Sequence, residues 1–236
     1  MVSISISIPA YNDEETIGQV ITGSIASVSS ITDDYEILVI NDGSTDSTGK
    51  IAGGLAAKDS SIRIVTHEKN MGFGPTLKEV FKLPSKDWIL FLPGDGQIPP
   101  GVLDGLWEHT KDYDFILGIR ENRSDTLGRR VNSAVYNAAI SILGGRRVRD
   151  VNSTVLLRRS IVERIEFAGE GAFVHAELFL EAAAGGFRIT GKTVEHRKRK
   201  HGMGGGGKPD VIFKTVSDMW KYFVKKKLKR EKSHGL

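Results

Sequence analysis

Acidic and turn-forming residues follow three predicted strands of this sequence. The three segments are Pro9-Ala-Tyr-Asn-Asp-Glu14, Asn41-Asp-Gly-Ser-Thr-Asp46 and Pro93-Gly-Asp-Gly-Gln97. Asn, Asp and Gly are common in turns, so one such segment alone would indicate only a turn. In an open parallel sheet, however, ligands bind beyond the carboxyl ends of the strands. Three acidic segments at one sheet edge therefore predict a binding site. The side-chain oxygens of its acidic and amide residues could accept hydrogen bonds from a ligand or coordinate a hard divalent cation.

The elements that must position these segments alternate between strand-like and helix-like patterns over the first 120 residues. This alternation predicts an α/β fold, with a mostly parallel sheet flanked by helices. The predicted strands are 2–8, 35–40, 62–66, 88–92, 115–118, 154–157 and 187–194. The predicted helices are 14–28, about 46–58, 76–82, 127–143 and 173–184. The continuous apolar run at 88–92 is typical of a strand that is covered on both faces.

Composition and charge exclude several classes of protein. The 236-residue chain has 33 Lys and Arg against 29 Asp and Glu, a formal net charge of +4. Residues 208–236 hold nine basic and three acidic residues, a surplus of six that leaves −2 for the preceding 207 residues. A body without a basic face argues against nucleic acid as a partner. The absence of Cys excludes disulfides and thiolate chemistry. No apolar run approaches the ~20 residues of a membrane span, and the N-terminus lacks a signal-peptide pattern, so a cytoplasmic location is expected.

Four segments resemble family 2 glycosyltransferases. They are Pro9-Ala-Tyr-Asn-Asp-Glu-Glu-Thr-Ile17, Val39-Ile-Asn-Asp-Gly-Ser-Thr-Asp-Ser-Thr48, Asn70-Met-Gly-Phe-Gly74 and Asp95-Gly-Gln-Ile-Pro-Pro100. Members of this family have the GT-A fold, in which a Rossmann-like sheet carries a nucleotide-sugar site. Over about residues 1–200, the chain is most similar to the dolichyl- or polyprenyl-phosphate sugar synthases. The resemblance implies an inverting hexosyltransferase that moves a sugar from a nucleoside-diphosphate sugar to an acceptor, with polyprenyl or dolichyl phosphate expected.

The same resemblance implies a donor site. The expected nucleotide contacts are Pro9, Tyr11, Asp13, Ile40, Asp42 and Gly72. Asp42 would accept a hydrogen bond from the base, and Tyr11 can pack on a ring. The family usually carries Asp-x-Asp before Pro-Pro, but here Pro93 replaces the first Asp while Asp95 and Gln97 remain. Asp95 and Gln97, together with the diphosphate, are expected to hold Mg²⁺ or Mn²⁺.

Further matches concern the sugar, the acceptor and the leaving group. The expected contacts to the sugar or the acceptor phosphate are Arg120, Arg129, Arg130, Asp150 and Asn152. Leu156 stands where the family has a cation, so recognition of the sugar or acceptor is expected to differ. With Asp95, Glu177 and Arg199 complete the expected catalytic set. Arg199 would neutralise the leaving diphosphate, and Glu177 would orient the acceptor or act as a base. A hydroxyl acceptor would require such a base, whereas a phosphate acceptor would not.

Three alternatives stay open. The chain could transfer a sugar to the hydroxyl of a soluble saccharide. It could be a non-catalytic nucleotide-sugar-binding module, because the Asp-x-Asp motif is incomplete. It could also be a sugar nucleotidyltransferase, although the Gly-rich, Arg-bearing signature of that class should stand where Pro9-Ala-Tyr-Asn12 stands.

The C-terminal residues have a different character from the body. We predict a GT-A domain over 1–201, a Gly-rich flexible loop over 202–208 and a basic amphipathic helix or tail over 209–236. Apolar residues at 212, 216, 219, 220, 223 and 228 lie close to one helical stripe, and most of the lysines lie off it. Such a helix resembles an interfacial anchor and would hold the protein peripherally on the cytoplasmic face of a membrane. Alternatively, the stripe packs on the catalytic domain or on a second subunit of a homo-oligomer.

Overall fold

A computed structural model describes residues 2–121, 127–169, 171, 173–197, 215 and 217–226. The side chains of Leu127 and Arg129 are also outside the description. The strands are β1 Ile4–Ala10, β2 Tyr35–Asn41, β3 Ile62–Thr66, β4 Trp88–Phe91, β5 Phe115–Arg120, β6 Val155–Arg158 and β7 Ile189–Val194. The α-helices are α1 Ile17–Ser29, α2 Thr48–Ala56, α3 Phe73–Lys82, α4 Val102–Trp107, α5 Leu127–Gly144, α6 Arg159–Val162 and α7 Phe173–Ala184. Residues 217–226 are also helical.

The strands form one sheet in the order β3-β2-β1-β4-β6-β5-β7. Neighbouring strands are parallel except where β6 runs antiparallel to both β4 and β5. The carboxyl ends of β1, β2 and β4, which carry the three acidic segments, therefore lie side by side at one edge. The mostly parallel α/β sheet predicted from the sequence is confirmed.

Both faces of the sheet are covered, including the serine face of β1. Ile4, Ile6 and Ile8 are fully buried in the core on one side. Ser5 is equally buried on the other face, where its hydroxyl donates a 2.7 Å hydrogen bond to Glu36. A small polar residue is tolerated there because its hydroxyl has a partner. β1 is therefore buried on both faces although its residues alternate between isoleucine and serine.

Two helices were not predicted from the sequence, and one begins earlier than expected. Helix α4 has only six residues and α6 only four, too few to show helical periodicity. Helix α3 begins at Phe73 because Gly72 precedes it with φ of +87°, a conformation that glycine adopts readily. These differences leave the positions of the acidic segments unchanged.

The C-terminal helical segment packs against the domain along one side. Tyr222 is buried, stacks edge-on against Phe173 with ring centroids 5.7 Å apart, and donates a 2.6 Å hydrogen bond to Glu181. Met219 and Phe223 pack against the same core cluster. Part of the apolar stripe therefore faces the domain, as one of the two alternatives predicted. Residues 202–208 and the rest of the tail lie outside the described residues, so the division into three regions stays a prediction.

Among the residues that the structure describes, no helix is both long enough and apolar enough to cross a membrane.

Candidate functional site

The loops that follow β1 and β2 are joined by hydrogen bonds. Asn12 adopts a positive φ of 54°, and its main-chain N–H donates to Ser44 Oγ at 3.1 Å. In return, its side-chain oxygen accepts from the N–H of Thr45 at 2.9 Å. The N–H of Asp13 donates to Thr48 Oγ1 at 2.8 Å, which ties the first loop to the start of α2. These contacts hold the two acidic segments as one unit at the carboxyl edge of the sheet.

The predicted nucleotide residues of these two strands have different exposures. Pro9 and Ile40 face each other across the β1–β2 pairing, and the Ile40 side chain is fully buried in the core. The side chain of Ile40 is therefore inaccessible to a ligand, and a contact between this residue and a nucleotide stays a prediction. Tyr11 is 46% exposed at the tip of the first loop, so its ring can receive a planar group. Asp13 turns back to accept a 3.0 Å hydrogen bond from the N–H of Tyr11.

Asp42 fastens a third loop to the site. Its buried carboxylate accepts from the main-chain N–H groups of Met71 and Gly72 at 2.7 and 3.0 Å, and it contacts His67 Nδ1 at 2.7 Å. A carboxylate has about four acceptor positions, so these partners occupy three of them. Gly43 has a φ of +65°, and a Cβ there would lie 2.3 Å from the main chain of Lys69. The predicted contact of Asp42 with a base stays a prediction, and the structure adds a positioning role for this residue.

His67 was missed by the sequence analysis. Its Nε2 lies 2.8 Å from Glu79 Oε2, so the imidazole bridges two carboxylates, those of Asp42 and Glu79. Burial opposes protonation of the ring, but the hydrogen bonds to Asp42 and Glu79 outweigh it and raise the pKa of His67. The only signal in the sequence was that a histidine directly follows β3, the strand that pairs with β2, and Asp42 directly follows β2.

The Asp95 segment lies against the first loop. The N–H of Gly94 donates to the carbonyl of Pro9 at 3.1 Å, and Thr16 donates to the carbonyl of Gly94 at 2.7 Å. A Cβ on Gly94 would lie 3.0 Å from that Pro9 oxygen and 3.2 Å from a carboxylate oxygen of Asp13. A side chain at position 94 would therefore require these neighbours to move by a few tenths of an ångström. The segment that carries Asp95 therefore meets the loop that carries Asp13.

Asp95 and Gln97 offer a small set of oxygen ligands. Asp95 Oδ1 accepts from the N–H of Gln97 at 3.0 Å, and the Gln97 side-chain amide donates to the carbonyl of Arg197 at 3.3 Å. That orientation leaves Gln97 Oε1 as its ligand atom. In the part of the chain that the structure describes, no group of three or more His, Asp or Glu side chains could hold a metal ion. These residues fit a cation that takes its remaining ligands from water and a diphosphate.

Arg197 brings the segment that follows β7 to the Asp95 loop. Its N–H donates to the carbonyl of Gln97 at 2.7 Å, a pairing between residues 100 positions apart. No local sequence pattern signals such a contact. Arg199, predicted to meet the diphosphate, lies two positions further on and outside the described residues.

Arg120 and Asp150, both predicted to meet the sugar or acceptor phosphate, contact each other. Arg120 donates from Nε and Nη2 to the two carboxylate oxygens of Asp150 at 2.8 and 2.7 Å. Asp150 is buried, so this bidentate pair fixes the orientation of the guanidinium at the end of β5. Asn152 and Arg130 are exposed, and the side chain of Arg129 is outside the description. A contact between these residues and a phosphate stays a prediction.

Glu177 and Leu156 lie in the interior of the domain. The Glu177 carboxylate is 2% exposed and accepts from the N–H groups of Ala168 and Gly169 at 2.8 and 3.0 Å. Burial raises its pKa. Glu177 thus anchors the turn at 168–169, and its action on an acceptor stays a prediction. Leu156 is fully buried in β6, where a cation would lack solvation, so its contribution is to the core.

A buried histidine, His175, is close enough to Arg120 and Asp150 for their charges to affect its pKa. Burial and the charge of Arg120 lower the pKa of His175 to about 3, so this ring is neutral. It packs edge-on against Phe81 and Phe91, with centroids 5.5 and 4.7 Å away. Within the described residues, neither ring nitrogen has a hydrogen-bond partner. The sequence predicted a helix over 173–184 but gave no role to His175.

Solved structures of glucosyl-3-phosphoglycerate synthase from Mycobacterium tuberculosis share this fold. A complex with Mn²⁺, UDP and phosphoglyceric acid aligns over 92% of this chain and 78% of that chain, with a TM-score of 0.70 and 21% identity. A complex of the same enzyme with Mg²⁺ and UDP has a TM-score of 0.67. The expected GT-A fold is thereby confirmed.

The amino-acid sequence establishes the protein family of this chain. The glycosyl transferase family 2 model matches residues 5–165, which is more than half of the chain. The chain therefore belongs to glycosyl transferase family 2.

Two curated relatives carry the same functional description, undecaprenyl-phosphate 4-deoxy-4-formamido-L-arabinose transferase. The protein from Pseudomonas fluorescens is 29% identical over 84% of this chain, and the one from Yersinia pestis is 31% identical over the same share. The chain spans 58% and 61% of their respective lengths.

Proposed function

We propose that this chain transfers a sugar, with inversion, from a nucleoside-diphosphate sugar to the phosphate of a polyprenyl lipid. The observation that carries the proposal is the joining of Asp13, Asp42 and Asp95 on loops that follow three adjacent parallel strands. Such an edge is where open α/β sheets bind ligands. The undecaprenyl-phosphate transferases that match over 84% of the chain support the choice of acceptor.

The loops that follow β1 and β2 bind different parts of the nucleotide donor. The exposed ring of Tyr11 stacks on the base, and the remaining acceptor position of Asp42 receives a base N–H. Asp13, on the same loop as Tyr11, faces the ribose. Gly72 shapes the neighbouring loop through its hydrogen bond to Asp42.

The reaction is a single displacement at the anomeric carbon. An oxygen of the acceptor phosphate forms the new bond to that carbon as the bond to the diphosphate breaks, and the electron pair leaves with the nucleoside diphosphate. A phosphate is already ionised near neutral pH, so no side chain has to remove a proton. Arg120, oriented by Asp150, would contact a phosphate or the sugar through its guanidinium. Arg199, which lies outside the described residues, would neutralise the charge of the leaving diphosphate.

Asp95 and Gln97 would hold Mg²⁺ or Mn²⁺. Bound there with the donor, the cation would stabilise the charge that grows on the diphosphate. Because the described chain contributes one carboxylate and one amide oxygen, the donor completes the ligand set. Metal and donor binding should therefore be strongly coupled, each raising the affinity of the other.

A thermal-shift panel tests the donor half of the proposal. Uridine and guanosine nucleotides and nucleotide-sugars are added with and without Mn²⁺, and ligand binding raises the melting temperature by mass action. We expect stabilisation by one nucleotide series, larger with Mn²⁺ present, while Asp95→Ala removes only the increment due to Mn²⁺. If no nucleotide-sugar shifts the melting temperature, the donor site is wrong. Binding without any transfer to lipid or saccharide would support the non-catalytic alternative.

A further inference from the structure

Helix α5 exposes an apolar face. Val131, Val135 and Ile142 are 53%, 65% and 80% exposed, and Ala134 and Ala138 are exposed between them. These spacings of three, four and seven residues place all five side chains on one stripe of the helix. An ordinary surface helix would carry polar residues on that stripe, so its apolar character indicates an interaction surface.

The inward face of α5 fixes this orientation. Asn137 is buried there, donates to the carbonyl of Ser133 at 2.7 Å and accepts from the N–H of Val151 at 3.0 Å. Ile140, on the same side, is fully buried in the core. Rotating the helix to hide the valines would expose Ile140 and break the hydrogen bonds of Asn137. The outward position of the apolar stripe is therefore a property of the fold.

Arginines flank both ends of the stripe. Residues 127–149 contain five arginines and no acidic residue. Four of the five are exposed and make no ion pair in the described part of the chain: Arg130, Arg146, Arg147 and Arg149. An apolar stripe with cations at its ends matches a helix that lies in the interface of an anionic bilayer, where arginine side chains reach the phosphates.

We propose that the outward face of α5, defined by Val131, Val135 and Ile142 with the flanking arginines, docks on an anionic lipid bilayer. A second copy of the chain fits this face less well. In a two-fold contact along antiparallel helices, the arginine ends of one copy would meet those of the other, and these like charges repel. An anionic bilayer instead attracts them, at about 1 kcal/mol for each basic residue near the surface.

The α5 surface continues into the candidate site. Arg149, at its basic end, immediately precedes Asp150, whose carboxylate orients Arg120 at the end of β5. A bilayer docked on α5 would present lipid phosphates on the acceptor side of the sheet edge. This inference deepens the proposed function, on which its biological purpose rests, but binding to a bilayer needs neither donor nor turnover. It also moves the expected membrane contact from the C-terminal segment to α5.

Co-sedimentation of the full chain with lipid vesicles tests the proposal. The vesicles consist of phosphatidylcholine with or without phosphatidylglycerol, and no nucleotide-sugar is present. Val135→Asp is compared with Val224→Asp, the same change at a 42% exposed position of the C-terminal helical segment. A third variant, Arg146→Ser with Arg147→Ser, tests the charge. Thermal unfolding verifies that each variant folds, as expected for exposed positions.

We expect the wild type to bind the anionic vesicles more strongly than the neutral ones. Val135→Asp should lower the partition coefficient on the order of tenfold, and the double arginine variant roughly fivefold for each arginine removed. Val224→Asp should bind like the wild type. Equal binding of Val135→Asp and wild type, or an equal loss in Val224→Asp, would overturn the assignment to α5. Self-association that Val135→Asp abolishes, without vesicle binding, would show that a second copy covers this face. None of these results depends on catalysis, so a failure here leaves the transferase proposal standing.

Discussion

Replacing His67 by alanine should destabilise the fold in a pH-dependent manner. The protonated imidazole donates from both ring nitrogens, to Asp42 at 2.7 Å and to Glu79 at 2.8 Å. These contacts raise the pKa of His67 above its ordinary value of 6.5 in spite of burial. A group whose pKa is raised on folding adds stability that is fully present below its unfolded pKa and is lost as the pH rises through its folded pKa. The effect of His67→Ala should therefore be larger in acid than in base.

The magnitude follows from the exposure of the two partners. The Asp42 side chain is 6% exposed, so a hydrogen bond to its charge contributes about 1.5–3 kcal/mol. The Glu79 side chain is 38% exposed, so solvent screens that contact to about 0.2–1 kcal/mol. His67→Ala should then lower the free energy of unfolding by about 2–4 kcal/mol at pH 6. At pH 9 a neutral imidazole retains one donor, and the loss should fall to about half of that value.

Urea unfolding followed by circular dichroism measures these differences at both pH values. The wild type and His67→Ala are compared at each pH, so that other titrating groups cancel. Glu79→Gln serves as the matched control, because it keeps a hydrogen-bond acceptor but removes the charge, and it should cost less than about 1 kcal/mol. A gap between the wild type and His67→Ala that is the same at pH 6 and pH 9 would refute the bridge between the two carboxylates.

Three further predictions concern the site. Asp95→Ala should abolish metal-dependent transfer while the chain still folds, because Asp95 lies in a loop and makes no apolar core contact; full turnover would show that Asp95 is not a ligand. Asp42→Ala should weaken nucleotide binding by about 1.5–3 kcal/mol in calorimetry, and unchanged affinity would contradict the assignment of the base pocket. Asp150→Asn should raise the KM for the acceptor more than the KM for the donor, because Arg120 then keeps only one of its two side-chain hydrogen bonds to residue 150. Equal changes in the two KM values would indicate a purely structural role for Asp150.

The sheet could be predicted from the sequence because each strand has its own local signal. The apolar run at 88–92 and the alternation at 2–8 both coincide with observed strands. The parallel direction of β1, β2 and β4 followed from the intervening helices, and with it the expectation that three acidic segments meet at one edge. Strand direction is not encoded locally, however, so the reversal of β6 could not be predicted.

The parts of the site that could not be predicted depend on contacts between distant residues. The sequence around Gln97 does not predict its hydrogen bond with Arg197. The sequence around Asp42 likewise does not predict that His67 contacts both Asp42 and Glu79. Matching a motif by its order along the chain also placed Leu156 beside the site, whereas β6 carries it into the core. Residue type identified candidate groups, and the fold decided which of them meet.

We expect the chain to transfer a sugar to a lipid phosphate. The most direct measurement follows labelled sugar from a nucleotide-sugar, chosen by the thermal-shift panel, into the organic phase in the presence of undecaprenyl phosphate and Mn²⁺. Soluble saccharides and soluble phosphate monoesters serve as competing acceptors, and Asp95→Ala serves as the inactive control. We predict that label enters the lipid fraction with release of one nucleoside diphosphate for each sugar, and only with the wild-type chain. Label that reaches a soluble acceptor or water, with none in the lipid, would contradict transfer to a lipid phosphate.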